Sequence, residues 1–427
     1  SLTLRWDHSL TLQCGRSPLS PHPPAASSRE WIGPLAMTLA VQSISSFLQR
    51  MPPTIAPALM DAHGLEQQMV GYFSASNICG AILFLILGAP LLRRMGSVHA
   101  LQIGLCMGAL GALVFMLPPL PLLLMGTFMM GLGYGPSTPA GSDILQRHAP
   151  ARHRVLIFSI KQAGVPAGGI LAGLLLPQFI LWGGLDLCLI ACSLLAAATA
   201  LLITPFRRLD KGRDQSQPLT LAAFLSPANI KKPFVALTSH PHLLKLAMSG
   251  TCLAVGQGVW ISFLVTMLVR NLDMSLTAAG IYFSIMQVTG VLGRILLGFI
   301  ADRIGSGRET LRMNAVASSL TTCALFFLSP DWPAWAIALL CGLAGITVTS
   351  WNGVQIAEIA RLVPLERVRE ASSGATLILF LGYVIGPAGF ALLIALTGQM
   401  QIGLMATCFI AGMAALILPR DKAAAVK

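Results

Sequence analysis

The 427-residue chain is 55% hydrophobic and only 10% charged, with a net charge of +12. Soluble domains carry about 25% charged residues, so a chain with a mean hydropathy of +0.74 falls outside that class and must meet lipid. Its basic residues nowhere form a face with interleaved aromatics, which argues against a nucleic-acid partner.

Residues 1–33 are polar, proline-bearing and without periodicity, and are predicted to be a disordered tail. They are not read as a signal peptide, since no apolar core follows a basic start. Beyond them, apolar runs long enough to cross about 30 Å of hydrocarbon recur. Their approximate bounds are 35–58, 67–91, 98–117, 120–143, 155–177, 181–204, 243–269, 277–300, 311–329, 333–357, 373–396 and 400–419. Only helices or closed barrels satisfy the backbone in lipid, and runs of this length predict twelve transmembrane helices.

If both termini are cytoplasmic, the cytoplasmic segments hold 23 of the 28 basic residues, while the opposite face holds only Arg270. That asymmetry sets the expected orientation, in a plasma membrane of bacterial inner type, and accounts for the net charge without an acidic partner. The one long internal connection, 206–241, divides the helices into bundles at 34–205 and 242–420, leaving a short tail at 421–427. The halves repeat at a little over two hundred residues. Arg93-Arg94-Met-Gly96 mirrors Asp302-Arg303-Ile-Gly305, and Asp143 with Arg147 and Arg154 mirrors Glu358 with Arg361 and Arg369. Two such halves around a midplane site suit an alternating-access carrier.

The run Gly298-Phe-Ile-Ala-Asp302-Arg303-Ile-Gly305-Ser-Gly307-Arg308 resembles the loop motif of the major facilitator superfamily, and with twelve helices the resemblance covers roughly residues 34–420. It implies an all-α membrane protein of two pseudo-symmetric six-helix bundles. Gly382-Tyr-Val-Ile-Gly386-Pro387 keeps that family's G-x-x-x-G-P pattern. In the first half Ala89 and Arg93 replace the motif's glycine and aspartate. Physically, Gly305 permits a tight turn. Asp302 is expected to meet the Glu358 to Arg369 cluster or a neighbouring helix end in a cytoplasmic latch that breaks when the carrier opens inward, with Asp143, Arg147 and Arg154 as its first-half counterpart. Exposed ion pairs of this kind contribute about 1 kcal/mol or less, which suits a gate.

Four cations fall within or at the ends of helices: Arg50, Lys161, Lys245 and Arg294. An intramembrane cation is a functional candidate by default. Lys245 can snorkel to the surface; Lys161 can snorkel or line a cavity. Arg294 shares a helix face with Gln287 and Gly290, and Arg50 lies on a polar stripe with Ser43 and Ser46. Neither has an acidic partner at equal depth, which suggests that an anionic substrate is the missing counter-ion, held by bidentate hydrogen bonds to a carboxylate. The run Arg294-x-x-x-Gly298-x-x-Ala301-Asp302 is also similar to the eighth helix of monocarboxylate and oxalate-type carriers. That likeness implies that Arg294 holds a carboxylate.

Further cavity candidates are Tyr72, Asn77, Gln257, Trp260, Trp351, Asn352 and Tyr383, each of which could instead serve only helix packing. The nine cysteines include no C-x-x-C pair, and the histidines lie in tails, loops or helix ends, so no metal site is predicted. No nucleotide-binding loop or catalytic triad is found, and neither a cofactor nor an enzyme is expected. The expectation is a monomeric secondary transporter taking up a small organic anion with protons. A proton antiporter exporting drugs or metabolites and a non-transporting membrane receptor stay open as alternatives.

Overall fold

The computed structural model describes residues 30–150, 153–210, 235, 237, 238, 240–364 and 368–419. Residues 1–29 of the predicted N-terminal tail, the predicted C-terminal tail, most of the internal connection and the side chain of Arg369 lie outside the described residues, while Ile32 and Gly33, expected in the tail, already belong to the first helix. The helices are α1 (Ile32–His63), α2 (Met69–Leu87), α3 (Ala89–Met95), α4 (Ser97–Val114), α5 (Leu120–Tyr134), α6 (Ser137–His148), α7 (Arg154–Gln162) and α8 (Gly164–Leu202). In the second half they are α9 (Pro241–Asn271), α10 (Leu276–Ile304), α11 (Gly307–Cys323), α12 (Ala334–Val348), α13 (Asn352–Arg361), α14 (Val368–Thr397) and α15 (Met400–Ile417). No strand occurs among the described residues.

These helices make twelve passes, because several passes are broken and one helix contains two. Alpha-helix α8 would be about 58 Å long at 1.5 Å per residue, too long for one crossing. Gly183 and Gly184 leave helical geometry within it, the latter at φ 75°, so the chain reverses there. Pass 2 is α2 with α3, pass 4 is α5 with α6, pass 5 is α7 with the first part of α8, and pass 10 is α12 with α13. Pass 4 breaks at Gly135-Pro136, where proline cannot donate the helical hydrogen bond. Pass 10 breaks where Thr349 Oγ1 and Ser350 Oγ both donate to the Gly345 carbonyl, at 2.8 and 2.7 Å. Such local hydroxyl bonds compete with the helix ladder. Broken helices are tolerated in a membrane where neighbouring helices satisfy the freed groups.

Each half has its own apolar core. Phe47, Met51, Phe73, Phe115 and Leu176 pack in the first, and Trp260, Phe263, Phe283 and Val348 in the second. Pass 5 lies along pass 8 and pass 2 along pass 11, joining the halves.

That junction is tightest at the end opposite the basic loops. A Cβ added at Gly173 would approach the Gly280 carbonyl oxygen to 2.4 Å, and one added at Gly71 would approach that of Pro387 to 2.2 Å. Ser284 Oγ donates across the junction to the Ile170 carbonyl at 3.2 Å. Arg270, ending pass 7, pairs with Asp61 at the end of pass 1 and donates to the Pro57 carbonyl at 3.3 Å. Near the basic end a Cβ at Gly298 or Gly305 would meet nothing within 4 Å, as would one at Gly64, Gly389 or Gly398 toward the other end.

Candidate functional site

At mid-membrane the two halves meet around a cavity of about 30 Å³ lined by Gln49, Arg50, Pro53, Asn77, Gly258 and Tyr383, among others. About 10–15 Å³ holds one water, so in this conformation the protein is nearly closed around its centre. Arg50 enters from pass 1 just before Pro52 and Pro53, which remove two ladder hydrogen bonds. Arg294 enters from pass 8, two turns beyond Gln287, whose amide is pressed against Gly169 of the other half. The Gln287–Arg294 stripe therefore faces the junction rather than lipid.

Arg50 and Arg294 interact electrostatically across the junction of the halves. Each is within Coulombic reach of the other and of the phenols of Tyr134 and Tyr383. The Nε atoms of both are buried without a hydrogen-bond partner, and neither arginine pairs with an acid among the described residues. Arg50 borders the cavity, and Arg294 is not among the residues that line it.

Two polar clusters flank this pair, one in each half. In the second, Gln257 Oε1 accepts from Tyr383 Oη at 2.8 Å and from Asn352 Nδ2 at 3.4 Å. In the first, Gln42 Nε2 donates to Tyr134 Oη at 3.4 Å and to Ser137 Oγ at 3.3 Å. Both clusters join a glutamine on the first helix of the half to the residue that restarts its broken fourth helix, 95 positions along the chain in each case. Gln42, Tyr134 and Ser137 were not anticipated from the sequence. The repeated 95-residue spacing of Gln42–Ser137 and Gln257–Asn352 was the available signal.

Other candidates fall elsewhere, which corrects their expected place at the cavity. Trp260 is fully buried in the second core and its indole donates to Thr322 Oγ1 at 3.0 Å. Trp351 is fully buried and donates to the Val348 carbonyl at 3.0 Å. Both face away because a buried indole needs a large apolar socket and one acceptor, and the bundle interior supplies both. Lys161 is fully buried between passes 1, 4 and 5, its Nζ donating to the Thr138 carbonyl at 3.3 Å. It packs on Gly141 and does not line the cavity. Tyr72 packs against the second core.

The basic end also differs from expectation. Glu358, not Asp302, is the hub: it accepts from the Gly307 N–H at 3.2 Å and pairs with Arg361 at 3.0 Å and Arg308 at 3.7 Å. Asp302 and Arg303 are exposed, Asp302 makes no ion pair among the described residues, and Arg303 lies 5.9 Å over the Phe299 ring. Gly305 takes the left-handed conformation at φ 73° and turns the chain so that the start of α11 meets Glu358. A carboxylate is favoured there by the free N–H groups of a helix start. In the first half Asp143 likewise accepts from Ser97 at the start of α4 and pairs with Arg147, while Arg154 is exposed. These described partners of Glu358 and Asp143 each lie in the same half as the acid they meet.

A two-bundle, all-helical membrane protein is the class these features define. The Major Facilitator Superfamily model matches residues 38–387, and the chain belongs to that family. An uncharacterized MFS-type transporter of Mycobacterium tuberculosis (strain CDC 1551 / Oshkosh) is 24% identical over 311 residues, covering 71% of this chain and 66% of that protein. The match thus spans just under two thirds of that relative's length. The 4-hydroxybenzoate transporter PcaK of Pseudomonas aeruginosa is 23% identical over 347 residues, covering 73% and 75%. Among solved structures, a bacterial homolog of the human lysosomal transporter Spinster, inward-facing and occupied, superposes with a TM-score of 0.68 at 16% identity over 91% of this chain and 96% of that one. At that identity the likeness speaks to fold alone.

Proposed function

We propose that this transporter takes up a small organic acid, its carboxylate held between Arg50 and Arg294, by alternating access coupled to protons. The basic end faces the cytoplasm. One observation carries the reading: two half-buried arginines, one from each half, lie within electrostatic range of each other, with buried, unpartnered Nε atoms and no acid paired to them among the described residues. Two like charges in a site of low dielectric repel, and an anion bridging them removes that cost while linking the halves. Tyr134, Tyr383, Gln257 and Asn352 orient it. A relative's name, a 4-hydroxybenzoate transporter, fits an acid of this kind.

Uptake of labelled 4-hydroxybenzoate into proteoliposomes under an inward proton gradient tests this. Accumulation is expected and should collapse with a protonophore. Arg50→Ala and Arg294→Ala should each lower it at least about tenfold, the worth of one charged hydrogen bond. Undiminished uptake by Arg294→Ala, or extrusion of a lipophilic cation by the wild type, would overturn the reading.

A further inference from the structure

Asn77 supplies the cavity with something an arginine cannot: a fixed, unpartnered acceptor. Its residue is 2% exposed and it lines the same cavity as Arg50. Its Nδ2 donates to the Thr127 carbonyl at 3.1 Å, and its Oδ1 has no partner. Because that carbonyl can only accept, the amide cannot be turned round without setting oxygen against oxygen. Pass 2 is also pinned at this point, since a Cβ on Gly131 of pass 4 would come within 1.6 Å of the Asn77 carbonyl oxygen. Ser74, one turn away on the same face, is a second unpartnered group on this wall.

Buried polar atoms are nearly always satisfied, so a rigid orphan acceptor facing a binding cavity calls for an explanation. We infer that Asn77 Oδ1 accepts a hydrogen bond from a hydroxyl of the substrate, making this a site for hydroxylated carboxylic acids rather than plain ones. The inference rests on the organic-anion reading above. Carboxylate and hydroxyl are recognised by different halves of one pocket wall, the arginine of pass 1 and the asparagine of pass 2. A site that hydrogen-bonds a substrate hydroxyl discriminates strongly against the analogue lacking it, because the buried partner is then left unpaired.

The experiment measures inhibition of labelled 4-hydroxybenzoate uptake in proteoliposomes by unlabelled 4-hydroxybenzoate, 4-aminobenzoate, 4-fluorobenzoate and benzoate. Wild-type protein should prefer the two para donors over fluorobenzoate and benzoate by about tenfold or more. In Asn77→Leu, checked for folding by size exclusion and thermal melting, the hydroxy acid should weaken until that preference falls to within about twofold. Should that variant fail to fold, the donor-versus-acceptor ranking on wild-type protein decides by itself. Equal inhibition by hydroxybenzoate and fluorobenzoate, or a preference that survives Asn77→Leu, leaves Asn77 with an internal water as its partner and overturns this inference alone. If no carboxylate inhibits or is taken up, the organic-anion reading itself has failed.

Discussion

The two ends of the bundle are built on opposite plans. At the end away from the basic loops the halves touch each other, through glycines at backbone contact and the Asp61–Arg270 pair. At the basic end the described ion pairs are more numerous, and those of Glu358 and Asp143 join residues of one half beside a helix start. Charge at a membrane surface thus serves two separate jobs, joining bundles at one end and stiffening each bundle at the other.

Breaking the comparison begins with the glycine contact. Gly173→Val places a branched side chain against the Gly280 carbonyl. Overpacking costs about 1–3 kcal/mol, all of it in the conformation closed at this end. Distance measurements between spin labels on passes 5 and 8 should show that end splayed, and uptake should fall by more than tenfold. Normal distances and normal uptake would mean the junction is not obligatory.

Glu358→Gln comes next. It removes the pairs with Arg308 and Arg361 and weakens the cap on Gly307. A loss of about 1–2 kcal/mol in stability is expected from one charge-assisted network, read as a lower melting temperature in detergent. The splay between halves should not change, because the network lies within one of them. A changed splay with unchanged melting would reverse the assignment of the two ends.

The smallest effect is expected for Asp61→Asn. Side chains of this pair are 68% and 38% exposed, and such pairs contribute about 1 kcal/mol or less. The ratio of conformations should therefore shift by no more than about fivefold, and raising salt on the wild type should imitate the variant, since exposed pairs are screened. A salt-insensitive, tenfold shift would show the pair to be stronger than its exposure allows.

Twelve passes, the family and the standing of Arg50 and Arg294 as cations inside the membrane were legible in the sequence, and for physical reasons. Lipid enforces continuous apolar length, and a cation there is rare enough to be conspicuous. The glycine at 305 was legible too, because a left-handed turn needs one. What could not be read was direction. Trp260 and Trp351 had the composition of cavity residues but turn into packed cores, and Asp302 had the motif's charge but lies exposed while Glu358 does the bracing.

By itself, then, the sequence determined what has to cross the membrane and which charges cannot be left in lipid, because both follow from transfer energies that act residue by residue. Tertiary structure alone decided which polar atoms meet. The convergence of Arg50 with Arg294, the twin clusters of Gln42 and Gln257, and the orphan acceptor of Asn77 arise where helices far apart in the chain cross. A hydrogen bond depends on angles and tenths of an ångström that no spacing along one helix can set.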